Sequence, residues 1–167
     1  MALRQPQTIT DVNVYLETQG YLGAVKELTL PIIEKETRAQ ENAGHTRAID
    51  LGFFKELNLD FTLQQLAPEA AAWLAVGKFI DTPILFKGAI REGKDNKSFL
   101  GVAKGIITKY EYPKFSPKAE VDTKIEMKLS FFSAAFDGSE FMLFDTENMI
   151  AIIDGVDHLA DVRAALL

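Results

Sequence analysis

The nine residues ELNLDFTLQ (56–64) alternate strictly between polar and apolar. Leu57, Leu59, Phe61 and Leu63 fall on one side, and Glu56, Asn58, Asp60, Thr62 and Gln64 on the other. A period of two has one regular backbone solution, the extended strand with one face buried and the other wet. VDTKIEMKLSFF (121–132) follows the same rule, setting Val121, Ile125, Met127 and Leu129 against Asp122, Lys124, Glu126 and Lys128. Shorter alternations occur at VNVYLE (12–17) and FMLF (141–144). PILFKGAIR (83–91) and FLGVAKGIITKYEY (99–112) read as longer, β-rich strands. Such a chain is confined to antiparallel sheets that keep one face on a core and the other in water or a water-filled space.

The punctuation agrees. TQGY (18–21) and FDGSE (136–140) lie between strands, where glycine supplies the positive φ that tight hairpins need. REGKDNK (91–97) reads as a charged hairpin loop, and Pro113 and Pro117 in YPKFSPK (112–118) break the ladder between two strands. Two segments read as helices. PEAAAWLAVGKFI (68–80) opens on Pro68 and Glu69, both suited to a first turn, and would bury Ala70, Trp73, Leu74 and Gly77. DHLADVRAALL (157–167) has Asp157 as its expected N-cap. Residues 31–49, PIIEKETRAQENAGHTRAI, fit neither period and read as a long charged loop or a loose hairpin. The expected architecture is mainly β, a β-sandwich or partial barrel of antiparallel strands in one domain, with one internal α-helix and a short C-terminal helix.

A chain of 167 residues, 47% hydrophobic and 25% charged, is long enough to bury a core as one domain. It has no cysteine, which excludes disulfides, thiolate metal sites and cysteine nucleophiles and fits a reducing cytoplasm or a particle assembled in one. The opening MALRQPQTITDV lacks the apolar core of a secretion leader, and runs such as AAAWLAV fall far short of a bilayer span, so no membrane anchor is expected. The net charge of −6 is unevenly spread. Residues 78–128 carry eleven Lys/Arg against seven Asp/Glu, whereas residues 129–167 carry one against seven. Solvated faces account for such a split, and so do surfaces of opposite sign that meet between copies of the chain.

Catalytic chemistry finds no foothold. His45 and His158 are far apart and lack metal-ligand spacing. GVAKG (101–105) is a strand with two glycines rather than a dinucleotide fingerprint, and no GxxxxGK[ST] or GxSxG is present. Asp154, Asp157 and His158 read as helix-start residues, and Glu34 and Glu36 as solvated acids. The aromatics are mainly phenylalanines at apolar positions, and the lysines of 87–128 are spread along strands with several alternating with acids, which does not make a nucleic-acid platform. No catalytic residue, cofactor or metal is expected.

Three stretches together resemble the major tail tube proteins of contractile bacteriophage tails and the related tubes of R-type bacteriocins. VYLETQGYLGAVKELTLP (14–31) is similar to that family's opening hairpin and Leu-Thr-Leu-Pro segment. KETRA…AGHTRAIDLGF (35–53) is similar to its charged loop leading to an Asp-Leu-Gly strand start. FDGSEFMLFDTENMIAIIDGVDHLADVRAALL (136–167) is similar to its consecutive Asp-Gly hairpin, Asp-x-x-Asn strand, Gly-Val-Asp turn and final short helix.

The resemblance implies a structural virion protein of the tail, assembled in the bacterial host cytoplasm. Six copies would form a ring, and rings would stack into a hollow tube that pierces the target envelope and conducts the genome. Its partners would be itself, the tail sheath protein, the baseplate and tail terminator proteins, and double-stranded DNA in passage. On that basis Glu34, Lys35, Glu36, Arg38, Glu41 and Arg47 are expected at ring-to-ring contacts. Asp60, Asp122 and Glu126 are expected on the channel wall, and Leu159, Val162, Leu166 and Leu167 at a C-terminal helix interface. A bacteriocin or type VI-like injection tube is the nearest alternative, and a lipocalin-like small-molecule-binding β-barrel is the alternative of another class.

Overall fold

The computed structural model describes residues 3–16, 19–72, 74 and 83–167. The fold is organised by two long neighbouring strands, β8 (Asp95–Glu111) and β9 (Thr123–Phe136), joined by the proline-bearing loop. The first half of β8 pairs with β7 (Ile84–Glu92), which pairs with β1 (Gln7–Leu16). The second half of β9 pairs with β10 (Ser139–Asp145), followed by β11 (Ile150–Ile153) and β12 (Val156–Asp157). The first half of β9 carries a different outer neighbour, β6 (Asn58–Leu63), which in turn pairs with β3 (Val25–Thr29). A two-residue β2 (Gln19–Gly20) closes the first hairpin on β1. All ladders are antiparallel. β3 returns alongside β1 with no ladder between them among the described residues, leaving a seam lined by Ile9, Val12, Leu28 and Leu30.

The β8–β9 ribbon therefore belongs to two wings, and its register slips between Lys104 and Gly105 and again between Ile107 and Lys109. Such bulges bend a strand and increase its twist. At Gly105 a Cβ would run into the Lys128 carbonyl across the ladder, so only glycine fits where the ribbon turns from one wing to the other. The space between the wings is filled by side chains from both. Val14, Leu16, Ile84, Phe86 and Phe132 come from one side, and Leu59, Phe61, Leu63, Ile125 and Met127 from the other, all buried. Phe86 is stacked between Phe99 and Phe132, with ring centroids 6.1 and 6.3 Å away.

The predicted inward face of 56–64 is buried throughout: Leu57, Leu59, Phe61 and Leu63 are at most 3% exposed. In the second alternation the inward face starts later than expected. Val121 is 38% exposed, and the fully buried position that opens β9 is Thr123, its hydroxyl without a hydrogen-bond partner. Lys26 reaches Asp122 at 2.6 Å and holds this point of the chain against β3. The internal helix α1 spans Pro68–Ala72 with Ala70 buried, and Leu74 packs on the core. Trp73 and Gly77 lie outside the described residues.

The stretch 31–49, expected as a loop or loose hairpin, enters a regular two-stranded arm of β4 (Lys35–Asn42) and β5 (His45–Phe54). Its turn is Ala43–Gly44, both at positive φ (46° and 86°), as a two-residue hairpin demands. Asp137–Gly138 and Asp154–Gly155 make the same kind of turn.

Asp157 does not cap the C-terminal helix, which is a correction to the expected N-cap. The helix α2 spans Ala160–Leu166, and Leu159 precedes it without a side-chain cap. The Asp157 carboxylate instead accepts from the Leu159 N–H (3.0 Å) and the Ala151 N–H (3.3 Å), and from Arg163 at 2.7 Å. Arg163 uses its other terminal nitrogen to donate to the Met149 carbonyl at 2.8 Å. This clamp, with Leu159 packed on the core, fastens α2 to β11 and β12.

Replacing Gly105 with Ala should lower the urea midpoint, costing about 1–3 kcal/mol for the forced backbone shift. Gly88→Ala, whose Cβ would sit 3.6 Å from the Phe99 Cβ in ordinary contact, should stay within about 0.5 kcal/mol of the parent. Equal effects at the two sites would rule out the close approach at the bulge as the cause. The Arg163 guanidinium, then the Leu159 N–H, hold the Asp157 carboxyl below its ordinary value. The clamp's contribution is therefore complete above the ordinary carboxylate pKa and is lost as pH falls through the depressed native value. The protection factors of amides 159–166, corrected for the intrinsic pH dependence of exchange, should fall in that acid range, and Arg163→Ala should lower them at neutral pH and flatten the dependence.

Candidate functional site

Three surfaces of this fold are presented outward. The first is the polar face of β3, β6, β9 and β8. Because strand side chains alternate, burying Leu59, Phe61, Ile125 and Met127 forces Asp60, Lys124, Glu126 and Lys128 to the other face. Asp60 and Glu126 are direct cross-strand partners, and Lys109 lies on the far side of Glu126 at 3.5 Å. Partial burial against the sheet, and then the Glu126 carboxylate, push the Asp60 carboxyl above its ordinary value, while Lys109 pulls it back. Lys128 pairs with Glu56 at 2.7 Å. The face is thus a lattice of alternating charge with a carboxylate pair at its centre. Of the three acids predicted here, the structure brings Asp60 and Glu126 together and takes Asp122 to the margin, under Lys26.

The second surface is the β4–β5 arm. It carries all six charged residues singled out in 34–47, with Glu34 at its root. Register distributes them over two faces. Arg38, Gln40 and Asn42 oppose Ile49, Arg47 and His45, while Thr37, Ala39 and Glu41 oppose Asp50, Ala48 and Thr46. Both faces are largely exposed, and Phe54 at the root is the arm residue that packs on the core among the described residues. The root is fastened in three ways. Lys35 pairs with Asp50 at 2.6 Å, Lys55 with Glu34 at 2.7 Å, and Phe54 sets its ring edge-on to Phe144 at 5.3 Å. The Lys35 ammonium, then the Gly52 N–H, lower the Asp50 carboxyl from its ordinary value. Arg47 donates to the Gln40 side chain across the ladder, and among the described residues Glu36, Arg38 and Glu41 form no ion pair.

The third surface is α2. Leu159 turns inward to the core, but Val162, Leu166 and Leu167 point to solvent, Leu166 being 67% exposed. The apolar arc seen in the sequence is therefore not absorbed by the chain's own sheets.

Sequence reasoning missed the Asp157–Arg163 clamp that poses this helix. The DTEN segment has a definite role too. Asp145 accepts from the Glu147 and Asn148 N–H groups and from the Asn148 side-chain amide at 2.7 Å, folding the turn into β11. The aromatic loop between β8 and β9 was also missed as a surface: Tyr112 and Phe115 are exposed there. His45 flanks the arm's turn and His158 lies on the surface, its backbone N–H bonded to the Ala151 carbonyl. Among the described residues no helix is long and apolar enough to cross a membrane, and no three acids or histidines cluster as metal ligands.

Comparison with known proteins speaks to what such surfaces serve. The profile of phage tail tube protein FII matches residues 6–166. The tail tube protein of Escherichia phage P2 is 26% identical over 168 residues, covering 96% of this chain and 97% of that protein. Among solved structures, the sheath/tube terminator of an extracellular contractile injection system superposes with a TM-score of 0.58 at 10% identity. That match covers 80% of this chain and 99% of the terminator. Hcp1 from Flavobacterium johnsoniae superposes with a TM-score of 0.50 at 14% identity, covering 78% and 98%. The structural likenesses carry the fold, and the match along nearly the whole chain carries the family. The chain belongs to the phage tail tube protein FII family and is a structural subunit, not an enzyme.

Proposed function

We propose that six copies of this chain close into a ring and that rings stack into the hollow tube of a contractile tail. Inside a sheath, seated on a baseplate and closed by a tail terminator, the tube pierces the target envelope and conducts double-stranded DNA. The observation that carries this reading is the β4–β5 arm. A two-stranded ribbon with both faces in water is marginal on its own, and its regular register makes sense against another body. An arm at one place and a receiving surface at another is a heterologous contact, the kind that builds rings and filaments rather than closed pairs.

In this assembly the arm makes the ring-to-ring contact through Glu34, Lys35, Glu36, Arg38, Glu41 and Arg47. The polar face of β3, β6, β9 and β8 lines the channel, with Asp60 and Glu126 on the wall and Asp122 at its margin. A wall of alternating charge centred on a carboxylate pair suits DNA in transit, because an array of unpaired cations would hold phosphates. The exposed residues of α2, Val162, Leu166 and Leu167, with Leu159 anchoring them, form a further subunit contact. The particle is assembled in the host cytoplasm and is found in the virion tail.

Replacing the arm beyond its root (residues 38–49) with a two-residue turn should leave soluble rings that no longer polymerise in electron micrographs. Long tubes from that variant would refute the stacking role. Asp60→Lys with Glu126→Lys should leave tube assembly intact and cut DNA delivery by the assembled particles. Particles that deliver normally would remove these residues from the channel wall.

A further inference from the structure

The loop that joins β8 to β9 combines two features rarely left in solvent together. Tyr112 and Phe115 are 67% and 81% exposed. Between and beyond them stand Lys114 and Lys118, neither in an ion pair among the described residues. The loop is not slack. Pro113 is buried beneath it, the Tyr112 ring sits edge-on to Tyr110 at 5.1 Å, and a Ser116–Ala119 turn closes its middle at 3.1 Å. At its far end Lys26 grips Asp122 at 2.6 Å and reaches Glu120 at 3.9 Å. The backbone that bears two aromatics and two cations is thus set before any partner arrives, which lowers the entropy cost of docking.

The complementary combination occurs at the C-terminal edge. There Val156, Val162, Leu166 and Leu167 are exposed apolar residues, and Asp154 and Asp161 are exposed acids without an ion pair among the described residues. Asp154 is fixed by its positive-φ turn, and the helix bearing Asp161 by the Arg163 clamp. The wider surroundings have the same signs. Residues 129–167 hold one basic and seven acidic side chains, whereas residues 78–128 have eleven basic against seven acidic.

We infer that the Tyr112–Lys118 loop of one copy packs on the α2 face of a neighbouring copy, aromatics on Val162 and Leu166 and lysines beside Asp154 and Asp161. The inference rests on the reading of α2 as an assembly surface and names what covers it. Apolar and charge complementarity operate together: the first supplies buried area, and the second fixes register and rejects like-charged partners. The two surfaces are different, so the contact is head to tail and propagates.

The chain has no native cysteine, so introduced thiols are unique. Assembled Phe115→Cys/Leu166→Cys chains, treated with a short bismaleimide and run on a denaturing gel, should give a ladder well beyond dimer. Phe115→Cys alone should stop at dimer, and Ile9→Cys/Leu166→Cys should give no ladder. Assembled particles of the first variant that show no ladder would overturn the inference while leaving the tube reading intact. Parent protein that forms neither rings nor tubes would instead overturn the tube reading. Should the cysteine variant fail to assemble, charge exchange decides. Lys114→Glu/Lys118→Glu and Asp154→Lys/Asp161→Lys chains should each lose assembly alone and regain it when mixed. Undiminished assembly of either alone, or no recovery on mixing, would sink the proposed contact.

Discussion

Everything in this fold depends on one ribbon serving two sheets. β8 and β9 run through both wings, and each wing takes its remaining strands from one half of that ribbon. A continuous flat pair would place β6 and β10 in one plane and leave no space to fill between them. The bulges at Gly105 and beyond Ile107 bend the ribbon, and the bend turns Ile125 and Met127 toward the same interior as Phe86 and Phe132. The core is large because two sheets face each other across it, and they face each other because the ribbon bends.

The same constraint determines what is left outside. With the apolar positions of β6 and β9 committed inward, their polar positions have no alternative to a continuous wet face. The arm leaves the body between β3 and β6, so its root is held by Phe54 on Phe144 and by two ion pairs, while its length is free. The exposed pairs contribute little energy individually, and what they contribute is direction. The helix α2 hangs from the far edge on a carboxylate, a guanidinium and one leucine. The arm and α2 are thus posed by a few contacts at their bases and bury little themselves.

How far the sequence revealed this follows from the same physics. Leu59, Phe61 and Leu63 were legible because alternation converts directly into burial when a strand has one dry face. The arm was legible only as a loop or loose hairpin, because a ribbon wet on both faces has no apolar period to display, and Ala39 opposite Ala48 carries no signal. Thr123 was missed as an inward residue because a hydroxyl at a buried position defeats a pattern read from apolarity. Asp157 before an apolar run satisfies the N-cap pattern. Only the fold reveals that Arg163 and the Ala151 and Leu159 amides compete for its oxygens. The candidate surfaces were named from the family resemblance together with charge and apolarity, while the separation of Asp122 from the Asp60–Glu126 pair needed the register between strands.

The strand order also dictates a timetable for synthesis. From β7 to β12 each strand pairs with the next along the chain, so this portion can assemble step by step as it emerges. Among the earlier strands only the β1–β2 and β4–β5 hairpins find a partner next along the chain. β1 meets its main partner only when β7 has been made, and the β3–β6 pair must wait for β9. β1, β3 and β6 are therefore held in waiting until the meander exists to receive them, whereas the arm can pair locally, and that is the kind of delay that long-range pairing imposes on β proteins.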